Sequence, residues 1–60
     1  MLNHTELAQL AQLIANQTNS RESLEQLVAT EADAYNLDET QTALLRRAAL
    51  RLAGYSVRGS

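Results

Sequence analysis

Leucine and alanine recur at helical spacing along most of this chain, and polar residues suited to helix caps divide the pattern into three segments. Apolar residues at i, i+3, i+4 and i+7 give each segment one apolar face. The pattern predicts three α-helices, over about residues 4–17, 20–35 and 39–53. The alternation typical of strands is missing between the caps, so the sequence predicts an all-α fold.

Cap residues mark where each predicted helix begins. Asn3 is followed three positions later by Glu6, and Asp38 by Gln41. Both pairs have the order of a capping box, in which each side chain binds the backbone N–H of the other residue. A polar residue at position 19 or 20 is expected to cap the second helix.

The predicted helix ends are marked by residues that tolerate the left-handed backbone conformation. Asn36 follows the second segment and Gly54 follows the third. Both residue types are common at the position just after a helix. The chain is therefore expected to form a single helical domain over residues 1–54, followed by a short tail over residues 55–60.

The chain is short for an independent domain. It has 60 residues and contains no Cys and no Pro. A domain of this size buries only about 60% of its unfolded surface, and it often gains further burial by association. The third predicted helix is apolar over about half of its circumference, which is a wider surface than one neighbouring helix covers, and Leu50 lies outside even that arc. Either this helix is the central element of a three-helix monomer, packed against both others, or part of its face meets a second copy in a dimer. We therefore expect a helical hairpin or three-helix unit that homodimerisation completes into a helical bundle.

The residues give little support for catalysis, a cofactor or a metal. The single His, His4, has no companion ligands at metal spacing, and both Gly lie in the last seven residues, away from any phosphate-binding loop. The longest apolar run is three residues, far below the roughly 18 that a membrane span needs. The N-terminus lacks the order of a signal peptide. The sequence predicts a cytoplasmic protein without catalytic activity, cofactor or membrane contact.

The third predicted helix carries the candidate contact residues. Its leucines form a broad apolar surface, and its arginines lie beside them at helical spacing. Apolar anchors on one helix face are a common means of recognising another protein. We expect the interface with a partner or with a second copy to use Leu44, Leu45, Leu50, Leu52, Arg47 and Arg51.

Glu31 interrupts the apolar stripe of the second predicted helix, between Leu27 and Tyr35. A carboxylate desolvated there needs a cationic partner, and Arg47 or Arg51 is the natural candidate. Two interpretations stay open. Either Glu31 reaches solvent at the edge of the stripe, or it forms a buried ion pair that fixes the register of two helices.

Charge is unevenly distributed along the chain. Residues 1–40 contain all seven acidic residues and one Arg, whereas residues 41–60 contain four Arg and no acidic residue. Complementarity to the helix dipoles and pairing between helices explain such a division. The alternative is an arginine-bearing face that meets nucleic acid or an acidic protein surface.

The stretch from Ala32 to Arg47 resembles the helix-turn-helix pattern of bacterial regulators. The small residue Ala32 is followed four positions later by a turn residue, Asn36, and then by the apolar Leu37 and a second helix. The resemblance implies DNA binding, with residues 39–53 as the recognition helix.

Two positions depart from that pattern, and the charge opposes DNA binding. Asn36 stands where Gly is usual, and Thr42 stands where a branched aliphatic residue is usual. Asp38 and Glu39 begin the helix that would face phosphates, and the net charge is -2. We therefore favour a non-catalytic protein-interaction module, an inhibitor, adaptor or assembly factor that acts as a homodimer. A helix-turn-helix regulator is the alternative.

Overall fold

The fold consists of three α-helices joined by short connections. The structure, a computed structural model, describes residues 2–55. Helix α1 spans His4–Gln17, α2 spans Arg21–Ala34 and α3 spans Glu39–Leu52. Within the described residues there is no strand, and the three helices pack against one another. The prediction of an all-α three-helix unit is therefore confirmed, with each helix boundary within one residue of its expected position.

The starts of α1 and α3 use the expected cap residues in different ways. The Asn3 side chain accepts a hydrogen bond from the Glu6 backbone N–H at 2.8 Å, and the Asn3 N–H donates to the Glu6 carboxylate at 3.0 Å. The predicted capping box at α1 is therefore confirmed. At α3, Asp38 accepts from the Gln41 N–H at 2.8 Å, but the Gln41 side chain does not return to Asp38.

The Gln41 side chain binds the backbone of Leu2 instead. Its amide NH₂ donates to the Leu2 carbonyl at 2.8 Å, and its amide oxygen accepts from the Leu2 N–H at 3.1 Å. Both bonds are partly shielded from water. Because Leu2 precedes α1 and Gln41 lies in the first turn of α3, this pair holds the starts of the two helices at the same end of the molecule.

Helix α2 begins at a serine cap and ends in a left-handed residue. Ser20 accepts a hydrogen bond from the Ser23 N–H. Asn36 has a φ of 58°, as expected for its position, and the N–H of Leu37 reaches back to the Ala32 carbonyl at 2.8 Å. This arrangement is a Schellman motif, which satisfies carbonyls that the end of the helix would otherwise leave unpaired.

Helix α3 ends in a second Schellman motif. Gly54 has a φ of 87°, and the Tyr55 N–H donates to the Leu50 carbonyl at 2.8 Å. Tyr55 also packs against the core, so this residue belongs to the folded unit and not to the tail that was expected to begin there. The rest of the expected tail, residues 56–60, lies outside the described residues.

Helix α3 is the central element of the core. It packs most extensively against α1 and also against α2, whereas the contact between α1 and α2 is the smallest. The three largest side chains that are fully buried come one from each helix: Ile14, Leu24 and Leu45. A helix with neighbours on two sides needs a wide apolar surface, and this explains the broad apolar arc of α3. The remaining core residues are Leu7, Leu10, Ala11, Val28, Ala32, Ala49 and Leu50.

Candidate functional site: a groove between α1 and α3

An open groove lies between α1 and α3, and no residue of α2 lines it. It encloses about 310 Å³ and combines an apolar floor with a basic edge. We call it the α1–α3 groove, and it is lined by His4, Leu7, Ala8, Leu44, Arg47, Ala48 and Arg51.

The floor of the α1–α3 groove is apolar and shallow. Leu7 belongs to the core and presents only a small part of its surface. Ala8 is exposed and Ala48 is half-buried against the core. Leu44 rises beside these small residues and is 42% exposed. The two alanines leave room for an apolar side chain of another molecule to approach the backbones of both helices.

The edge of the α1–α3 groove is positively charged. Arg47 and Arg51 lie four residues apart on the exposed surface of α3, and His4 stands on the α1 side. None of the residues that line the groove is acidic, and neither arginine forms an ion pair within residues 2–55. Both arginines are exposed, so an incoming carboxylate can reach them.

The structure divides the expected contact residues of α3 into two groups. Leu44, Arg47 and Arg51 lie in the groove, and Leu52 is 54% exposed near the end of the helix. Leu45 and Leu50 are 0% and 2% exposed, within the core of a single chain. The expectation of a contact role for these two leucines is corrected to a core role, because α1 and α2 already cover them.

The expected ion pair of Glu31 is not seen. Glu31 is half-buried, and within the described residues it forms no ion pair with Arg47 or Arg51. This favours the interpretation in which Glu31 reaches solvent at the edge of the apolar stripe. The carboxylate that does link two helices is Glu25, which sequence reasoning missed.

Glu25 pairs with Arg21 on its own helix and with Arg46 on α3, and the second pair connects the two helices. The Glu25 Oε2 atom accepts from Arg21 Nε at 3.2 Å and lies 3.4 Å from Arg46 Nη2. The hydrogen bond from Arg21 is the main cause that holds the pKa of Glu25 below its ordinary value, with smaller contributions from Arg46. All three side chains are partly exposed, so this network contributes little to stability. Arg21 and Glu25 are four residues apart, and from this spacing the sequence could have predicted the Arg21–Glu25 half of the network.

A second apolar patch lies where α1 faces the end of α2. Leu13 and Tyr35 are each about half-exposed and flank an open depression of about 290 Å³. Leu2 and Leu10 contribute apolar surface there, and Glu6 is the one charged residue among those that line it. We call this the Leu13–Tyr35 patch. Leu13 was not among the expected contact residues, all of which lie on α3.

A metal-binding cluster and a membrane-spanning helix are both absent from the described part of the chain. Residues 2–55 contain no group of three His, Cys, Asp or Glu side chains that could hold a metal ion. Over the same residues, no helix has the length and apolar character needed to cross a membrane. No protein-family model matches the chain, and neither curated proteins nor solved structures show significant similarity to it.

Proposed function

We propose that this chain is a non-catalytic protein-interaction module that binds another protein through the α1–α3 groove. The observation that carries the proposal is the exposed Leu44, which stands over an apolar floor and beside two arginines that pair with no carboxylate in the described residues. An apolar anchor bordered by charged groups is typical of surfaces that recognise a helix of another protein. Such a module would act as an inhibitor, adaptor or assembly factor.

The packing of the core supports this assignment to the groove. Leu45 and Leu50 are already covered by α1 and α2, so they stabilise the single chain and are not needed for an interface. Leu44 lies next to Leu45 in sequence but remains 42% exposed. Exposure of one leucine beside a fully buried one gives α3 two separate roles, a core face and a contact face.

Site-specific photo-crosslinking tests the proposal. A photoreactive amino acid at position 44 would lie in the groove, whereas the same group at position 30 would lie on the exposed surface of α2. In the native host we expect a discrete crosslinked protein from position 44 and none from position 30. Crosslinking from position 30 alone, or from neither position, would contradict a binding role for the groove.

We also propose that the chain forms a homodimer, through a surface other than the α1–α3 groove. The small size of the chain favours association, as does the presence of exposed apolar side chains. A symmetric pair formed through the α1–α3 groove would bring Arg47 and Arg51 close to their own copies, which is unfavourable. The Leu13–Tyr35 patch carries one charged residue, Glu6, in place of the two arginines of the groove, and it is the better candidate.

Sedimentation equilibrium over a wide concentration range tests this assignment. If a homodimer forms through the Leu13–Tyr35 patch, Leu13→Gln should shift the equilibrium to the monomer and Leu44→Gln should leave it unchanged. A monomer at every concentration would rule out homodimerisation. A dimer disrupted only by Leu44→Gln would place self-association in the groove.

DNA binding is the second candidate function, and the turn between α2 and α3 favours it. Ala32 is buried, Asn36 adopts the left-handed conformation and Leu37 packs against the core, as the helix-turn-helix resemblance implies. Against it, Asp38 and Glu39 lie exposed at the start of the would-be recognition helix. DNA binding would show a steep loss of affinity with added salt and a further loss in Arg46→Ala.

A further inference from the structure

We infer that the occupant of the α1–α3 groove is an acidic amphipathic α-helix of another protein. The inference rests on the proposed function and adds the chemical class of the partner. Three properties of the groove carry it: the spacing of its two arginines, the small residues on its floor and the charge of its surroundings.

The spacing of the arginines matches the surface of a helix. Arg47 and Arg51 are separated by four residues along α3, which is about 6 Å of helical rise. Carboxylates at positions i and i+4 of a partner helix have the same separation, so an antiparallel or parallel helix can pair with both arginines at once. A loop or strand that carries two acids would match this spacing only by chance.

The floor of the groove suits a helix with one apolar row. Ala8 of α1 and Ala48 of α3 lie on opposite sides of the floor, and each contributes only a methyl group. The groove encloses about 310 Å³, which is ample volume for a leucine-sized side chain among these two alanines, Leu44 and Leu7. A partner helix with leucines at helical spacing, and with acidic residues on the Arg47 side of that row, satisfies both parts of the groove.

Arg47 and Arg51 differ from the other two described arginines. Arg21 and Arg46 are engaged by Glu25, which offsets part of their charge. Within residues 2–55, Arg47 and Arg51 have no such partner. Arg47 also borders a depression that it shares with Arg21 and Arg46, so Arg51 is the arginine whose charge is presented in the groove alone.

Nucleic acid fits these features less well. Glu39 lies with Leu44 and Arg47 around a depression that adjoins the groove, about two helical turns before Arg47. A phosphate backbone carries charge along its whole length and would meet this carboxylate, whereas a partner helix can place its acidic residues beside Arg47 and Arg51 and away from Glu39. A phosphate contact also gains nothing from an exposed leucine, whereas an apolar residue of a partner protein does.

A second copy of this chain also fits less well. The most acidic helix of the chain is α2, but the residues it exposes are small or polar and include no large apolar anchor: Arg21, Glu22, Ser23, Gln26, Ala29, Thr30, Asp33 and Ala34. Such a surface could meet the arginines of the groove but could not fill its apolar floor. The charge and the apolar floor together therefore favour a different protein.

Binding of labelled helical peptides to the full chain tests the inference. One peptide has leucines at helical spacing flanked by glutamates four residues apart, and a second has glutamine at every glutamate position. Fluorescence anisotropy should show the glutamate peptide binding about tenfold more tightly, since two partly exposed ion pairs distinguish the two peptides. The same measurement with a short DNA duplex serves as the nucleic-acid probe.

Two double variants with the same change in net charge provide the control. Arg47→Gln with Arg51→Gln should abolish the preference for the glutamate peptide. The variant with Arg21→Gln and Arg46→Gln changes two residues that do not line the groove, so it should keep the preference for the glutamate peptide. Equal binding of the two peptides, a preference that survives in the groove variant, or binding of the DNA duplex in place of either peptide would overturn the inference, as would no binding at all.

The outcomes separate the inference from the proposed function. If the two peptides bind equally but position 44 still crosslinks to a protein, the groove binds protein and its partner is not selected by acidic charge. If the crosslink is also missing, the proposed function is wrong as well.

Discussion

Gln41 binds the backbone of Leu2 through both ends of its side-chain amide, although 39 positions separate the two residues in the sequence. The amide NH₂ donates to the carbonyl and the amide oxygen accepts from the N–H, at 2.8 Å and 3.1 Å. The Gln41 amide therefore pairs with Leu2 as the backbone of a neighbouring β-strand residue would, with one donated and one accepted hydrogen bond. It fixes the segment before α1 against the first turn of α3, at the end of the molecule where the α1–α3 groove begins.

Replacing Gln41 with Ala should destabilise the fold. Two partly buried hydrogen bonds are lost, which is expected to lower the free energy of unfolding by about 1–2 kcal/mol. Urea denaturation measures this change, and amide hydrogen exchange should show faster exchange at Leu2. Gln12→Ala is the matched control, because Gln12 is an exposed glutamine on α1 without such bonds. Equal effects of the two substitutions would show that the Leu2 contact is not formed in solution.

This contact also shows where sequence reasoning ends. Asn3 and Glu6 are three positions apart, so their capping box can be predicted from local spacing alone. The same spacing at Asp38 and Gln41 predicted a second box, and only half of it formed. The missing half depends on a residue at the other end of the chain, which no local pattern indicates.

Adjacent leucines of α3 should respond very differently to truncation. Leu45 is fully buried, and Leu45→Ala is expected to lower the free energy of unfolding by about 2–5 kcal/mol. Leu44 is 42% exposed, and Leu44→Ala should cost less than about 1 kcal/mol. Chemical denaturation of the two variants makes the comparison. A loss in Leu44→Ala as large as that in Leu45→Ala would contradict the division of α3 into a buried face and an exposed face.

The sequence could not make this division by itself. Helical spacing places Leu44, Leu45, Leu50 and Leu52 around α3 but does not say which neighbours cover each direction. Leu50 lies outside the main apolar arc, yet it is buried because α2 packs on that side, where Leu50 and Arg21 line the same depression. The wide apolar arc of α3 is therefore consistent with two arrangements: a central helix in a three-helix monomer, or a helix that meets a second copy in a dimer.

Substitution of Gly54 should lower the stability of the chain because Gly54 has a positive φ, and not because an added side chain would clash. Its φ is 87°, and an added Cβ would meet no atom within 4 Å. Gly54→Ala is expected to cost about 1 kcal/mol, and Gly54→Asn should cost less because Asn tolerates the left-handed region better. Thermal unfolding of both variants tests the order. An alanine variant as stable as the original chain would contradict the left-handed end of α3.

The pKa of Glu25 should report the network that this carboxylate forms with Arg21 of α2 and, more weakly, with Arg46 of α3. Arg21 and Arg46 stabilise the carboxylate, so its pKa in the folded chain lies below its unfolded value. The stabilisation is therefore present at neutral pH and is lost as the pH falls through the folded pKa. An NMR titration should show the pKa rising in Arg21→Ala and, by a smaller amount, in Arg46→Ala. An unchanged pKa in both variants would mean that the network is absent in solution.

The most direct test of the proposed function is the affinity of the crosslinked partner for two forms of the chain. Calorimetry would compare the original chain with Leu44→Gln, after urea denaturation has shown that the free energy of unfolding changes by no more than about 0.5 kcal/mol. We expect the substitution to weaken binding about tenfold or more, because it removes the apolar anchor of the groove. Unchanged affinity in a stably folded Leu44→Gln chain would show that the partner binds elsewhere.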